Sequence, residues 1–295
     1  MSHHHTHHNH GGIKNIKIAF ILNLSFTVVE IIGGILTNSI AIISDALHDL
    51  GDSLSLGLSW YLEKVSQKRR DPRFSFGYRR FSLLGALINS IVLIGGSAFV
   101  LTEAIPRLLQ PEAVHVKGML GLSIFGILIN GIAAWRIKSG TSMNEKVISW
   151  HLLEDVLGWV AIFITSLVML VWSAPILDPV LSILITAFVL FNVVKRLLET
   201  LKIFLQAIPP DVDIQALEQA IVNLEEVQSV HDTHIWSLDG EYTIMSLHIV
   251  VATDLPAQDY GPVKQRIRAL CQQSHLHHVT IEIEQEDEDC DLDDC

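Results

Sequence analysis

Two copies of one short pattern carry the chemistry in this 295-residue chain. His48-Asp49-Leu50-Gly51-Asp52 and His151-Leu152-Leu153-Glu154-Asp155 both read His-x-x-x-Asp. On a helix, residues four apart project one turn apart toward the same side, so each pair presents an imidazole and a carboxylate together. Two such helices facing each other would supply two nitrogens and two carboxylates, a tetrahedral, borderline-soft set suited to Zn2+, whereas an all-oxygen set would favour Mg2+ or Ca2+. Protons compete with metal for these same ligands, and histidine titrates near physiological pH. A proton can therefore displace the ion. Asp45 and Asp49 share the helical face of His48 and Asp52, and Glu154 is read on the face of His151 and Asp155. These three carboxylates are expected to orient the ligands, to carry protons, or to lie at the membrane edge.

The elements that position these residues are apolar. Hydrophobic residues make up 49% of the chain and the mean hydropathy is +0.40, values that point to several membrane spans. Six stretches of about 20 residues or more are long enough for a hydrocarbon core of roughly 30 Å. They are Ile16–Leu36, Ile40–Leu62, Phe81–Ala104, Lys117–Ile137, Val147–Trp172 and Ile176–Leu198. The two His-x-x-x-Asp pairs fall in spans two and five, where ionisable groups are costly and mark function. A lone His or Asp there would serve as well as a structural hydrogen-bonding group, but identical dyads in separate spans favour a site.

Charge divides the chain. Residues 1–207 carry 17 Lys and Arg against 13 Asp and Glu, a net of +4, while residues 208–295 carry 3 against 19, a net of −16. This predicts a His-rich tail (1–15), a membrane domain (16–207), a soluble domain (208–285) after the break at Pro209-Pro210, and an acidic tail (286–295). The acidic soluble part argues against nucleic acid and for cations as partners. Lys64, Lys68, Arg69, Arg70, Arg73, Arg79 and Arg80 between spans two and three, Arg136, Lys138 and Lys146 between four and five, and Lys195, Arg196 and Lys202 after six all fall on one side with Lys14 and Lys17. The positive-inside rule then places both termini in the cytoplasm. Cys271, Cys290 and Cys295 form no disulfide framework, in keeping with a reducing compartment. The His run from His3 to His10 reads as a metal-collecting tail or an affinity tag.

The soluble part reads helix, strand, strand, helix, strand: Ile214–Val227, Ser229–Leu238, Glu241–Val251, Pro262–Gln273 and Val279–Ile283. This is a small α/β sandwich of ferredoxin-like αββαβ order. Asp239-Gly240 is a two-residue hairpin signal that pairs Leu238 with Glu241. The same register puts His231 opposite His248, with Cβ atoms about 4.5–5.5 Å apart, and His234 opposite Met245 on the other face. His277 or His278 would complete a metal site with Glu284 or Asp232. The bland alternative is a row of exposed histidines on a polar sheet face.

Longer motifs resemble a known family. Asn38-Ser-Ile-Ala-Ile-Ile-Ser-Asp-Ala-Leu-His-Asp-Leu-Gly-Asp52 is similar to the second-span signature of the cation diffusion facilitators. Phe76-Gly-Tyr-Arg-Arg80 and Gly85-Ala-Leu-Ile-Asn89 resemble that family's entry to span three, His151-Leu-Leu-Glu-Asp155 its fifth-span pair, and Asp178-Pro179 the start of span six. His231-Asp-Thr-His-Ile-Trp-Ser237 and His278-Val-Thr-Ile-Glu-Ile-Glu284 resemble the first and last strands of its cytoplasmic domain. The resemblance implies a homodimer that exports zinc, and sometimes cadmium or cobalt, in exchange for protons. It implies a transport site at His48, Asp52, His151 and Asp155, and a zinc-sensing cytoplasmic domain using the histidines named above. Two features depart from the pattern: Ser82 stands where an acid is common, and Phe74 and Tyr78 replace the histidines of a loop metal site, so that site is not expected.

The expectation is thus a six-helix membrane carrier with a cytoplasmic αββαβ domain, set in a bacterial cytoplasmic membrane. A membrane-embedded metalloprotease is disfavoured because the chain lacks His-Glu-x-x-His and a four-ligand site leaves no place for a catalytic water. A passive cation channel would conduct without proton exchange.

Overall fold

The computed structural model describes residues 10–137, 143–286 and 288; side chains are described for these except 10–20, 22, 56, 59, 60, 63, 136, 137 and 143–152. Residues 1–9, Cys290 and Cys295 lie outside the described residues, as does most of the acidic tail. Six long helices come first: α1 His10–Thr37, α2 Ile40–Ser66, α3 Phe81–Leu109, α4 Val116–Ile137, α5 Met143–Val171 and α6 Leu177–Phe204. A smaller set follows: α7 Ile214–Val222, β1 Val227–Ser237, β2 Thr243–Val251, α8 Tyr260–Gln273 and β3 Leu276–Gln285. The chain divides into two compact units, residues 1–62 with 85–197 and residues 63–84 with 198–295.

In the first unit, α3, α6 and the stretches Val116–Trp135 and Leu153–Val171 are long and apolar enough to cross a membrane. The apolar part of α1 among the described residues is Asn23–Thr37. Helix α2 is 27 residues long, and the charges that interrupt its apolar character are the residues of interest. Large apolar side chains such as Ile91, Phe99, Ile132, Leu157 and Phe191 face outward, while Thr27, Glu30, Ser44, Asp45, Asp49, Asp155 and Thr186 are buried. That inversion suits helices surrounded by lipid tails.

Small residues set the helix spacing. A Cβ at Gly126 on α4 would collide with the Trp159 indole of α5, one at Gly33 on α1 with Leu122 of α4, and one at Gly51 on α2 with Leu93 of α3. Phe26, Ile42, Met119, Trp159 and Ile162 form one interior cluster from α1, α2, α4 and α5. Leu93, Val189 and Val193 join α3 to α6.

In the second unit the sheet order is β1-β2-β3, with β1 and β2 antiparallel and β2 and β3 parallel. Leu217 and Ile221 of α7 and Val263, Ile267 and Cys271 of α8 recur at helical spacing. They pack on Ile235, Met245, Leu247, Ile249 and Ile281, leaving His248 and Glu284 on the alternate positions of β2 and β3. The predicted element order holds, but α7 ends at Val222, where Asn223 caps it.

The hairpin differs from its expected form. Ser237 pairs with Thr243 and the Leu238 amide donates to the Tyr242 carbonyl at 2.9 Å, so the loop is longer than two residues. Asp239 Oδ1 accepts from the Glu241 and Tyr242 amides at 3.0 and 2.7 Å, and Gly240 takes φ +95°. Next to the turn the register is therefore one residue away from the predicted one, and His234 faces Ser246 rather than Met245. A bulge between His231 and His234, with Asp232 at φ +48°, takes up the extra residue. His231 consequently does pair with His248.

Burial pushes the Cys271 thiol up to about 11, so the nucleophilic thiolate is scarce near neutral pH. With Cys290 and Cys295 replaced by serine, maleimide labelling of the folded protein at pH 7.5 should be negligible and should appear only as denaturant opens the sheet domain; prompt labelling would show that α8 does not pack as described.

Candidate metal sites

Helix α2 is held at its start and flank before it presents its ionisable face. The Asp178 carboxylate of α6 accepts from Ser39 Oγ at 2.5 Å and from the Ile40 and Ala41 amides at 2.8 and 3.4 Å. An acid at this helix N-terminus satisfies orphan amides and favours the helix dipole. On the flank, Asn23 Nδ2 of α1 donates to the Asp49 carbonyl at 3.3 Å and to Ser53 Oγ at 3.1 Å. Ser44 and Thr186 hydroxyls share a hydrogen bond at 2.9 Å, joining α2 to α6.

Held in this way, α2 presents Asp45, His48, Asp49 and Asp52 on successive turns. His48 Nε2 lies 3.5 Å from Asp52 Oδ2, so the first His-x-x-x-Asp pair meets side chain to side chain. Asp45 and Asp49 are 5% and 3% exposed, and Asp155 on α5 is 7% exposed. Asp45 interacts electrostatically with both Asp155 and Asp52, and a Cβ at Gly158 would sit 3.2 Å from Asp45 Oδ1. The missing side chain at Gly158 thus lets α5 approach the acidic face of α2. His151 lies one turn before Asp155 on α5, and its side chain is outside the described residues. Glu154 is exposed, unlike its neighbour Asp155, so of the two acids only Asp155 faces the interior. A cavity of about 10 Å³, near the lower limit for one water, lies beside His48 among Ser44, Leu93, Ser97, Thr186 and Val189.

One buried acid was not read from the sequence. Glu30 on α1 is 1% exposed, and its carboxyl shares a side-chain hydrogen bond with Asp49. Its carboxylate faces that of Asp49 and senses Asp45 and Asp155. The signal available was a single acid inside the first apolar span, where a charge is costly and functional by default.

A second cluster lies on the sheet face that the helices leave open. His231 Nε2 is 3.1 Å from Glu284 Oε2, and His248 Nδ1 is 2.7 Å from Glu284 Oε1. His248 Nε2 is 3.4 Å from Asp232 Oδ2 and 3.5 Å from Glu282 Oε2. His234 Nε2 lies 2.8 Å from Asp232 Oδ1. One ligand atom each from His231, His248 and Glu284 falls within 4.8 Å of the others. His231 Nε2 makes no aligned hydrogen bond despite its closeness to Glu284. Two imidazoles with one or two carboxylates are a donor set that fits Zn2+. The bulge at Asp232 draws that acid into the cluster.

His277 and His278 do not join this cluster. They stand at the start of β3, seven and six residues from Glu284, about 20 Å along a strand. His277 Nδ1 accepts from the Thr243 amide at 3.2 Å and its ring stacks on Tyr242 at 5.0 Å. His278 sets its ring edge-on to Phe76 at 5.9 Å. The expectation that either would complete a site with Glu284 is corrected: β3 runs parallel to β2, so its first residues lie beside Thr243 and Ile244 rather than beside His248.

A bundle of membrane helices with buried carboxylates beside a partly buried His, followed by a small acidic sheet domain, fits an integral membrane metal transporter. The chain belongs to the cation efflux family, the cation diffusion facilitators: residues 16–205 match the cation efflux transmembrane domain and residues 209–286 the cytoplasmic domain of cation efflux proteins. It is 33% identical to the cadmium, cobalt and zinc/H(+)-K(+) antiporter of Bacillus subtilis over 95% of this chain and 91% of that protein. It is 33% identical to the zinc transporter ZitB of Pectobacterium atrosepticum over 100% and 92%, and 31% identical to the metal cation efflux system protein CzcD of Cupriavidus metallidurans over 95% and 89%. The protein is a metal cation efflux transporter and not an enzyme.

Replacing Glu30 with Gln keeps its shape and a hydrogen-bonding partner for Asp49 while removing a group that can gain or lose a proton. The variant should be as stable as wild type or more so, by about 1 kcal/mol, while metal transport falls at least severalfold, as expected when strain serves function. A clear loss of thermal stability would show instead that the acid is structural.

Proposed function

We propose that the protein exports Zn2+ from the cytoplasm in exchange for protons, through a tetrahedral site of His48, Asp52, His151 and Asp155 between α2 and α5. The observation that carries this reading is the contact of His48 with Asp52 on α2, beside a buried Asp155 that Gly158 allows to approach. Zinc binds from the cytoplasmic side as the histidines give up protons, and protons that rebind from the outer side displace it. Six spanning helices rock to open the site to one face and then the other. The antiporter and zinc-transporter names of the relatives support the cargo and the exchange, with Cd2+ and Co2+ as further substrates. Asp45 and Asp49, joined by Glu30, orient the ligands and pass protons to and from them. Glu154, exposed on α5, serves at the membrane edge.

The protein works as a homodimer in a bacterial cytoplasmic membrane, with both termini and the residue 208–285 domain in the cytoplasm. Zinc held by His231, His248 and Glu284, with Asp232 and His234 alongside, is the regulatory ligand of that domain. When bound there it links three strands of one sheet face and tightens the dimer.

Zinc flux into proteoliposomes under an imposed pH gradient tests the reading, with and without a K+ gradient. Wild type should respond to the pH gradient, and Asp52→Ala and Asp155→Ala should each reduce flux to background. His248→Ala should weaken zinc binding by the sheet domain more than about tenfold and leave the membrane site able to bind. Flux that survives both Asp substitutions would remove the two dyads as the transport site, and flux indifferent to the pH gradient would favour a channel.

A further inference from the structure

We propose that the loop between α2 and α3 is a binding surface for anionic phospholipid headgroups. Residues 64–80 hold seven Lys and Arg and a single acid, Asp71. Asp71 is spent on folding the loop: its Oδ1 accepts from the Arg73 and Phe74 amides at 2.8 and 3.0 Å, and Tyr78 donates to its Oδ2 at 2.7 Å. The Tyr78 hydroxyl, with those amides, holds the Asp71 carboxyl below its usual range. Gly77 takes φ +77°, where a Cβ would press on the Lys68 carbonyl. The rings of Phe74, Tyr78 and Phe81 pack together at 4.5–5.7 Å.

Of the seven cations, Lys68 lies over the Tyr78 ring at 5.8 Å, Arg80 is partly buried, and Arg79 is committed elsewhere. Arg79 pairs with Asp239 at 3.1 Å and lies over the Tyr242 ring at 4.3 Å. Partial burial pushes the Asp239 carboxyl up, but the Tyr242 and Glu241 amides and Arg79 outweigh it and hold it below its usual range. What remains outward is Lys64, Arg69, Arg70 and Arg73, all exposed, beside Phe74 and Phe76, which are 39% and 49% exposed, the Phe76 ring meeting His278 by one edge. Arg69, Arg70 and Arg73 form no ion pair among the described residues.

The two ends of this loop are fixed at the ends of two membrane helices, Ser66 of α2 and Phe81 of α3, so it borders the bilayer. Clustered arginines beside a membrane helix attract anionic headgroups, their planar forks match phosphate, and apolar rings between them settle at the lipid interface. A role in topology alone needs only charge, not a folded loop with outward rings. The acidic residues 286–295 are the rival occupant, but Leu292 is their one large apolar residue, which offers the two rings little. Such a cationic loop also repels metal ions, in keeping with Phe74 and Tyr78 standing where histidines would be needed for a loop metal site. The inference requires only that α2 and α3 cross the bilayer, whatever ion is moved.

The test is native mass spectrometry of the full-length protein in non-ionic detergent, titrated with dioleoyl-phosphatidylglycerol or dioleoyl-phosphatidylcholine. Wild type should prefer phosphatidylglycerol by about tenfold or more. The triple variant R69Q/R70Q/R73Q should lose that preference, and the corresponding triple lysine variant should keep most of it. F74S/F76S, which leaves charge and topology unchanged, should weaken phosphatidylglycerol binding severalfold. Equal binding of the two lipids, or a preference that both the glutamine and the serine variants retain, would overturn the proposal. A gain in phosphatidylglycerol binding by a chain ending at residue 286, with none by wild type, would assign the loop to the acidic tail instead.

Discussion

A carboxylate in a hydrocarbon layer needs either a partner or a purpose. Helix α2 places Asp45, His48, Asp49 and Asp52 on one face within two turns, and much of the membrane unit is arranged so that this face can be buried. Asp178 anchors the helix start through Ser39 and two amides. Asn23 fixes its flank against α1, and the Ser44–Thr186 bond ties it to α6. Gly51 and Gly158 remove the side chains that would keep α3 and α5 away. These are local solutions to the cost of buried polarity, and none of them neutralises the acids. Glu30 adds another buried acid where a structural design would have an apolar residue.

The same logic applies at a lower stake in the sheet domain. Its core is conventional, with α7 and α8 covering one face. The open face carries the His and acid cluster, which depends on a defect in the strand: without the bulge at Asp232, that acid and His231 would alternate to opposite faces. Bulges are features that re-aim side chains next to functional sites, and the positive φ at Asp232 belongs to a residue type that tolerates it.

Much of this was legible in the sequence, for identifiable reasons. The dyads were visible because a helix repeats every 3.6 residues, so spacing alone put Asp45, His48, Asp49 and Asp52 on one side. The element order of the soluble domain followed from apolar periodicity and from the turn residues. Glu30 was passed over because a lone acid in an apolar run has no periodic companion, and its meaning comes from a different helix. Glu154 was read on the face of His151 and Asp155, yet adjacent helical residues lie about 100° apart and only Asp155 faces inward. The pairing of His231 with His248 was anticipated through two offsets that cancel, a longer turn and a bulge, neither of which the Asp-Gly signal discloses. His277 and His278 were drawn toward Glu284 by residue type, and the parallel direction of β3 separates them.

The central claim is that two imidazoles and two carboxylates from α2 and α5 meet on one ion. Zinc K-edge absorption tests it on full-length protein in which His231, His248 and the amino-terminal histidines are replaced, so that only the membrane site retains metal. The account predicts about four nitrogen and oxygen neighbours near 2.0 Å, with imidazole scattering that drops by half in either His48→Ala or His151→Ala. A shell of oxygens alone, or imidazole scattering unchanged by either substitution, would contradict it.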